Sequence, residues 1–376
     1  MYLTVKDGII RDLKDVDHFS ATTDMWSSVN MMPYMSLTIH YLSAHWELKS
    51  KCLETVFMPE SHTGDNLAEA LRSSLQEWSL DERKLACITT DNGANIVVAV
   101  RKLGWQRLSC FGHNLHLAVT NALKTEKERT ARAMGLCRTL VTTFSQSWQK
   151  KKLQKEQTEL NLPQQCLVLD CRTRWGTTQK MIERVLEQTP AIKRVLDDRR
   201  SQHLIPTWQD VEVLESVNAA LKKGADCTDA LSSEKTVTAS SVKPVLQLLS
   251  EDLLLPAKED TELTHNLKIK MTGVLEDKYN APATQRLLAK ASFVDPRYKD
   301  INPVDDVKDA LLEEKLAVPE ERRDDGDGAM RASTAGEGEG ANAPAPAPKK
   351  MNLADLLGKK KRKDLYSSPQ ENPCGH

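Results

Sequence analysis

The feature that most constrains the fold is the order in which two periodicities alternate over the first 125 residues. Three runs rich in Thr, Val, Ile, Tyr and Trp, at Phe19–Val29, Tyr34–Ser43 and Trp46–Met58, are separated by short polar or proline-containing breaks. That pattern predicts an antiparallel meander. The capping residues Ser61-His62-Thr63-Gly64-Asp65 follow, and Leu67, Leu71, Leu75 and Trp78 then recur at helical spacing, predicting a helix over 66–78. Lys84–Thr90 reads as a buried strand, Asp91-Asn92-Gly93 as a turn, and the next residues as a helix through about Lys102. A short strand over Gln106–Ser109 leads into a helix over Phe111–Lys124. The order is βββ-α-β-α-β-α.

This is the order of an RNase H-like α/β fold, a mixed sheet in which three antiparallel strands are extended by parallel ones. The expected core spans 16–125, after a short amino-terminal remnant at 1–15. Residues 126–316 are expected to form a mainly α-helical insertion domain, since Met181–Val195, Val211–Lys223, Val242–Leu255 and Leu263–Tyr279 carry apolar residues three and four apart. Prolines at 163, 190, 206, 244, 256, 282 and 296 read as punctuation between helices. Residues 317–376 are acidic, then Ala/Pro-rich, and too poor in apolar side chains to offset the entropy of ordering. A disordered tail carrying a basic run is expected there.

Bulk charge offers no general attraction to nucleic acid: 52 Lys+Arg against 53 Asp+Glu leave a net charge of −1. Any such partner must be met by local patches. The 8 cysteines are scattered without a CxxC pair, which fits neither a disulfide framework nor a zinc ribbon and suits a reducing compartment. The amino terminus lacks an apolar signal-peptide region, and no run approaches the roughly 18 apolar residues of a membrane span. An intracellular, soluble protein with no membrane association is expected.

Two aspartates stand where strands would bring them together. Asp24 lies on the first strand, in Thr22-Thr23-Asp24-Met25-Trp26, and Asp91 at the carboxyl end of a parallel one, in Thr89-Thr90-Asp91-Asn92-Gly93. They are 67 residues apart (91 − 24), yet the first and fourth strands of an RNase H-like sheet are neighbours. Two carboxylates so placed can hold Mg²⁺ ions, roughly 3.5–4 Å apart when paired, at the attacking and leaving oxygens of a phosphodiester. Taken singly, each aspartate has a plainer reading as a helix cap or a turn residue.

Five segments in order, TTDMWSS, ITTDNGANI, CFGHNLHLAVTNAL, CRTRWGTTQKMIERVLEQ and FVDPRYK, resemble the motifs of hAT-family DNA transposases. The likeness runs from about Val16 to Asp300 and is strongest to the branch with a BED zinc finger and domesticated members. The resemblance places the first two catalytic acids on Asp24 and Asp91. It sets Cys110, His113 and His116 at the family's Cys-x-x-His segment, where they form the active-site wall. One cysteine and two histidines on one helix are too few for a closed zinc site, so no structural zinc is expected. Trp175 matches a family tryptophan placed to stack on a displaced nucleotide, an interaction of about 1–3 kcal/mol; it equally fits the seam between insertion and core. Arg172 and Arg174 would meet adjacent phosphates. Lys359, Lys360, Lys361, Arg362 and Lys363 read as a nuclear localisation signal.

Relative to the family the chain reads as truncated at both ends, without paired finger ligands ahead of the core or a recognisable third catalytic carboxylate. Glu183 and Arg184 form a Glu-Arg pair, but on an amphipathic helix. The expectation is a nuclear, transposase-derived protein with an incomplete acidic triad, weak Mg²⁺ binding through Asp24 and Asp91, and a role in DNA or chromatin binding or transcription rather than catalysis. The carboxyl-terminal region through which the family self-associates reads as missing, which leaves the oligomeric state open. Two other readings stay open: a nuclease that recruits a carboxylate such as Glu183 or Glu187, and a protein-interaction scaffold.

Overall fold

The computed structural model describes residues 2–171, 174–199, 201–233 and 238–299, together with 307–309, 311–312, 353 and 357. Arg172, the run Lys359–Lys363 and nearly all of the expected tail lie outside the described residues.

Strands β1 (Phe19–Ser27), β2 (Pro33–Leu42), β3 (Leu48–Phe57), β4 (Leu85–Thr90) and β5 (Arg107–Ser109) form one sheet in the order β3-β2-β1-β4-β5. β1 pairs antiparallel with β2 and β2 with β3, whereas β4 runs parallel to both β1 and β5. This is the mixed RNase H-like sheet expected from the segment order. Phe19, Ala21, Met35, Leu37, Ile39 and Ile88 alternate onto one face and are buried. Each large apolar side chain so buried contributes about 1.5–3 kcal/mol. The same core takes Leu67, Leu71 and Leu75 of α2 (Gly64–Glu77) and Ile96, Ala99 and Val100 of α3 (Ala94–Leu103). Thr63 caps α2 by accepting from the Asn66 N–H at 3.2 Å.

Residues 2–14 depart from the expectation of a mere remnant. They form helix α1 (Tyr2–Lys14), whose Leu13 is buried and whose Ile9 and Ile10 pack against the sheet core. Lys6 reaches Glu77 at 2.5 Å and lies over the Trp78 ring at 5.1 Å. Ile9, Ile10 and Leu13 make a short helical stripe within a charged segment, legible only as periodicity.

The remaining described chain is helical: α4 (Phe111–Thr125), α5 (Lys127–Thr143), α6 (Ser147–Glu159), α7 (Trp175–Val195), α8 (Trp208–Ser233), α9 (Val242–Leu248), α10 (Glu262–Tyr279) and α11 (Pro282–Val294). Not every proline punctuates. Pro190 lies inside α7 and Pro244 inside α9, while Pro282 opens α11. An interior proline forfeits one helix hydrogen bond, but Ala191, Ile192 and Leu196 are fully buried and hold the end of α7 in place. No helix among the described residues is long and apolar enough to cross a membrane.

The chain divides into two compact units, Met1–Thr228 with Leu249–Gln285, and Asp229–Leu248 with Arg286–His376. The first holds the sheet, and within it α10 lies along α4, with the Phe111 and Tyr279 rings 6.3 Å apart. The second is tied by the Phe-Val-Asp-Pro-Arg-Tyr segment. There Asp295 accepts from Ser240 at 2.6 Å and from Arg297 at 2.8 Å, and Arg297 also donates to Thr238 at 3.1 Å.

Candidate metal centre

The strand register decides where the two aspartates fall. β1 and β4 pair Ala21 with Ile88 and Thr22 with Thr89. The pairing ends at Thr22 with Thr89; Asp24 lies two residues further along β1, and Asp91 directly follows the end of β4, at the same edge of the sheet. Asp24 is exposed, and its Oδ1 accepts the Met25 N–H at 3.0 Å. Asp91 is half-buried, and its Oδ1 accepts the Gly93 N–H at 3.0 Å. Glycine suits that close approach: a Cβ at residue 93 would lie 3.2 Å from the same oxygen. Among the described residues no hydrogen-bond donor engages the second oxygen of either carboxylate, so each keeps a hard oxygen for a cation.

A buried polar network holds the Asp91 turn. Arg107, on β5, donates through Nε to Thr90 Oγ1 at 2.8 Å and through Nη2 to Asn92 Oδ1 at 2.9 Å and to the Asp91 carbonyl. Asn92 donates in turn to Asn114 Oδ1 at 2.6 Å, and Asn114 donates to Ser109 Oγ at 2.8 Å. Tyr279 Oη closes the network on the Ser109 carbonyl at 3.3 Å. Asn114 is fully buried, where an unpaired amide would be costly, so each hydrogen bond fixes position as well as satisfying a group. Burial lowers the Arg107 pKa, opposed by Asp91 and Tyr279. Burial also pushes the Tyr279 phenol up to about 12.

Thr90, Asn92 and Asn114 lie within the motif segments without being singled out by them, and Arg107, Ser109 and Tyr279 lie outside those segments. A signal exists for one of them: Asn114 shares the buried stripe of α4 with Leu115, Ala118, Val119 and Ala122, and a polar residue on an apolar stripe needs buried partners.

The other anticipated residues fall as follows. Cys110 directly follows β5, and its N–H donates to the Thr90 carbonyl at 2.8 Å, beside Asp91. His113 and His116 are half-buried on α4. Burial and the neighbouring His113 lower the His116 pKa; its Nδ1 is buried without a partner, and its Nε2 lies 3.4 Å from Thr120 Oγ1. Among the described residues no group of three or more His, Cys, Asp and Glu side chains is placed to share a metal ion.

Trp175 opens α7 and is buried, 7% exposed, where a Cβ on Gly224 of α8 would sit 3.4 Å from its Cη2. Both helices lie within residues 126–316, the expected helical domain. Arg174 is exposed. The loop before them is anchored at Asp170, which receives Arg138 Nη2 at 2.7 Å and Thr178 Oγ1 at 3.2 Å. Glu183 is engaged on α7, accepting from Lys222 at 2.6 Å and Gln179 at 3.2 Å. Burial alone would raise the Glu183 pKa, but these donors and the Lys222 charge outweigh it and leave it lowered. Glu187 pairs with Arg184 at 3.2 Å.

Comparison with known proteins bears on the same segments. The family described as the ZBED1 RNase-like domain matches residues 22–113, and the ZBED1 RNase-like helical domain matches residues 108–220. Together they take in more than half of the chain, and Asp24, Asp91 and Trp175 all fall within them. Among curated relatives, human "Zinc finger BED domain-containing protein 4" is 27% identical over 316 residues, covering 80% of this chain and 26% of the relative. The maize "Putative AC transposase" is 26% identical over 325 residues, covering 80% of this chain and 39% of the relative. The "Putative transcriptional regulator tpeD" of Talaromyces stipitatus is 24% identical over 289 residues, covering 64% of this chain and 33% of the relative. The chain thus spans between about a quarter and two-fifths of the length of these relatives.

Proposed function

Because the chain belongs to the hAT transposase-derived family, we propose that it acts in the nucleus as a DNA-binding protein, with a two-carboxylate cation site that does not by itself complete strand cleavage. The observation that supports this reading is the parallel β1–β4 pairing, which makes neighbours of the strands that lead to Asp24 and Asp91. The names of its relatives support it, since they include a transposase, BED zinc-finger proteins and a transcriptional regulator.

The donor set suits Mg²⁺ or Mn²⁺. Two carboxylates present hard oxygens, and a small divalent ion that keeps several waters needs only one or two protein ligands. When bound, such an ion supplies Lewis-acid charge at a phosphodiester. The chain's own residues do the positioning. Gly93 N–H and Met25 N–H each hold one carboxylate oxygen, and Arg107, Asn92 and Asn114 fix the turn that carries Asp91. Two carboxylates make up only part of a three-acid site, and Glu183 and Glu187 are committed to Lys222 and Arg184. The activity that follows is recognition of DNA or chromatin partners, with an influence on transcription, rather than strand transfer. The basic run Lys359–Lys363 would supply nuclear entry.

Titration with Mn²⁺, followed by water-proton relaxation, tests the cation site. Wild-type chain should bind the ion weakly, and Asp24→Asn/Asp91→Asn should abolish the saturable enhancement. Equal enhancement in both proteins would sink the assignment.

A further inference from the structure

The helical part carries a charge asymmetry that the near-zero net charge conceals. Between Glu128 and Glu156 the sequence contains no acidic residue and seven basic ones. Four of those are matched by acids from elsewhere. Arg129 pairs with Glu126 at 3.6 Å, Arg132 with Asp210 at 3.0 Å, Arg138 with Asp170 at 2.7 Å and Lys155 with Glu159 at 3.6 Å. The other three, Lys150, Lys151 and Lys152, have no acidic partner among the described residues, and all are exposed in the first turns of α6.

Their placement works against the stability of the helix. Cations near a helix amino terminus oppose the macrodipole, which favours acids there, and neighbouring ammonium groups repel one another. Gln146, the residue before α6, gives its N–H groups no side-chain cap, because its Oε1 instead accepts from Trp148 Nε1 at 2.8 Å. Lys152 Nζ lies 4.9 Å from the centroid of the Trp148 ring, and that indole stays 52% exposed. An incoming polyanion would relieve the repulsion and meet the positive end of the helix at once.

We propose that this face of α6 is the surface that grips the phosphate backbone of duplex DNA. The inference rests on the DNA-binding reading above and names its electrostatic contact. Three unmatched ammonium groups suit the regular, dense charge of a duplex, and the exposed hydroxyl of Ser147 beside them is a phosphate donor. Such a surface specifies position on the duplex and not sequence.

The test is fluorescence anisotropy of a labelled duplex of about twenty base pairs with the full chain in EDTA, so that no cation site takes part, from about 50 to about 200 mM salt. Lys150→Gln/Lys151→Gln/Lys152→Gln should lower the slope of log K against log salt by about 2–3, at roughly 0.9 for each phosphate no longer neutralised. Lys223→Gln/Lys258→Gln/Lys270→Gln, which removes three exposed lysines elsewhere, should leave the slope unchanged; melting curves would check that both variants are folded. An unaltered slope in the α6 variant, with the wild type still binding, overturns the patch and leaves the DNA-binding reading intact. No binding by the wild type even at the lowest salt overturns that reading and the patch with it. Equally tight, equally lysine-dependent binding of polyglutamate would make the face a general polyanion surface and overturn its assignment to DNA.

Discussion

At the scale of single residues, two hairpin turns carry backbone strain. The β1–β2 and β2–β3 connections share one design, in which Ser28 N bonds Met32 O and Ser43 N bonds Glu47 O. Each ends in a left-handed residue, Met31 and Trp46, both at φ 61°. A side chain in that conformation costs roughly 1–2 kcal/mol, which glycine avoids. Trp46 is 82% exposed and has little packing to lose. Trp46→Gly should therefore stabilise the chain by about 0.5–1 kcal/mol in urea unfolding; a destabilised variant would mean the indole packs more than its exposure implies. Tyr279 makes a pH prediction. Its folded pKa is raised to about 12 by burial, against an ordinary value of 10.0, so the fold favours the neutral phenol. That stability is fully present below pH 10 and is lost as pH rises toward 12. The Tyr279 phenolate absorbance, isolated by comparison with Tyr279→Phe, should appear only with unfolding. Ionisation near pH 10 in folded protein would contradict it.

At the scale of elements, the Asp91 turn depends on residues from β5, α4 and α10. Asn114 links the turn to β5 through Asn92 and Ser109. Asn114→Leu strands both partners in a buried site and should cost about 1–3 kcal/mol in denaturant unfolding, with weaker Mn²⁺ binding as a second readout. Unchanged stability and affinity would show that Arg107 and Asn92 hold the turn without Asn114. The elements also show what could be read from sequence. The strand and helix order was legible because its periodicities are long and its breaks clear, and the placement of Asp24 and Asp91 followed from that order. Helix α1 escaped notice because its apolar stripe is short and lies among charges. Pro190 misled as punctuation, since tertiary burial outweighs the loss of one hydrogen bond, and Pro244 did so because it sits in the first turn of α9, where proline costs no helix hydrogen bond. The Arg107 network was illegible because it joins residues from 90 to 279 that no local spacing connects.

For the whole molecule, the membership of the family and the mixed sheet with its helical domain agree with the ordered motifs. Fold and chemistry remain separate matters, since an RNase H-like scaffold hosts many functions and function is decided at the site. The proposal gives Asp24 and Asp91 the holding of a divalent ion and leaves efficient cleavage to the charge of a further ligand. The most direct measurement is nicking of supercoiled DNA in Mg²⁺ or Mn²⁺ by the wild-type chain and by Asp24→Asn/Asp91→Asn. The account predicts that neither protein nicks above background. Nicking by the wild type alone would contradict it, because a third ligand would then complete the site and the protein would be an enzyme.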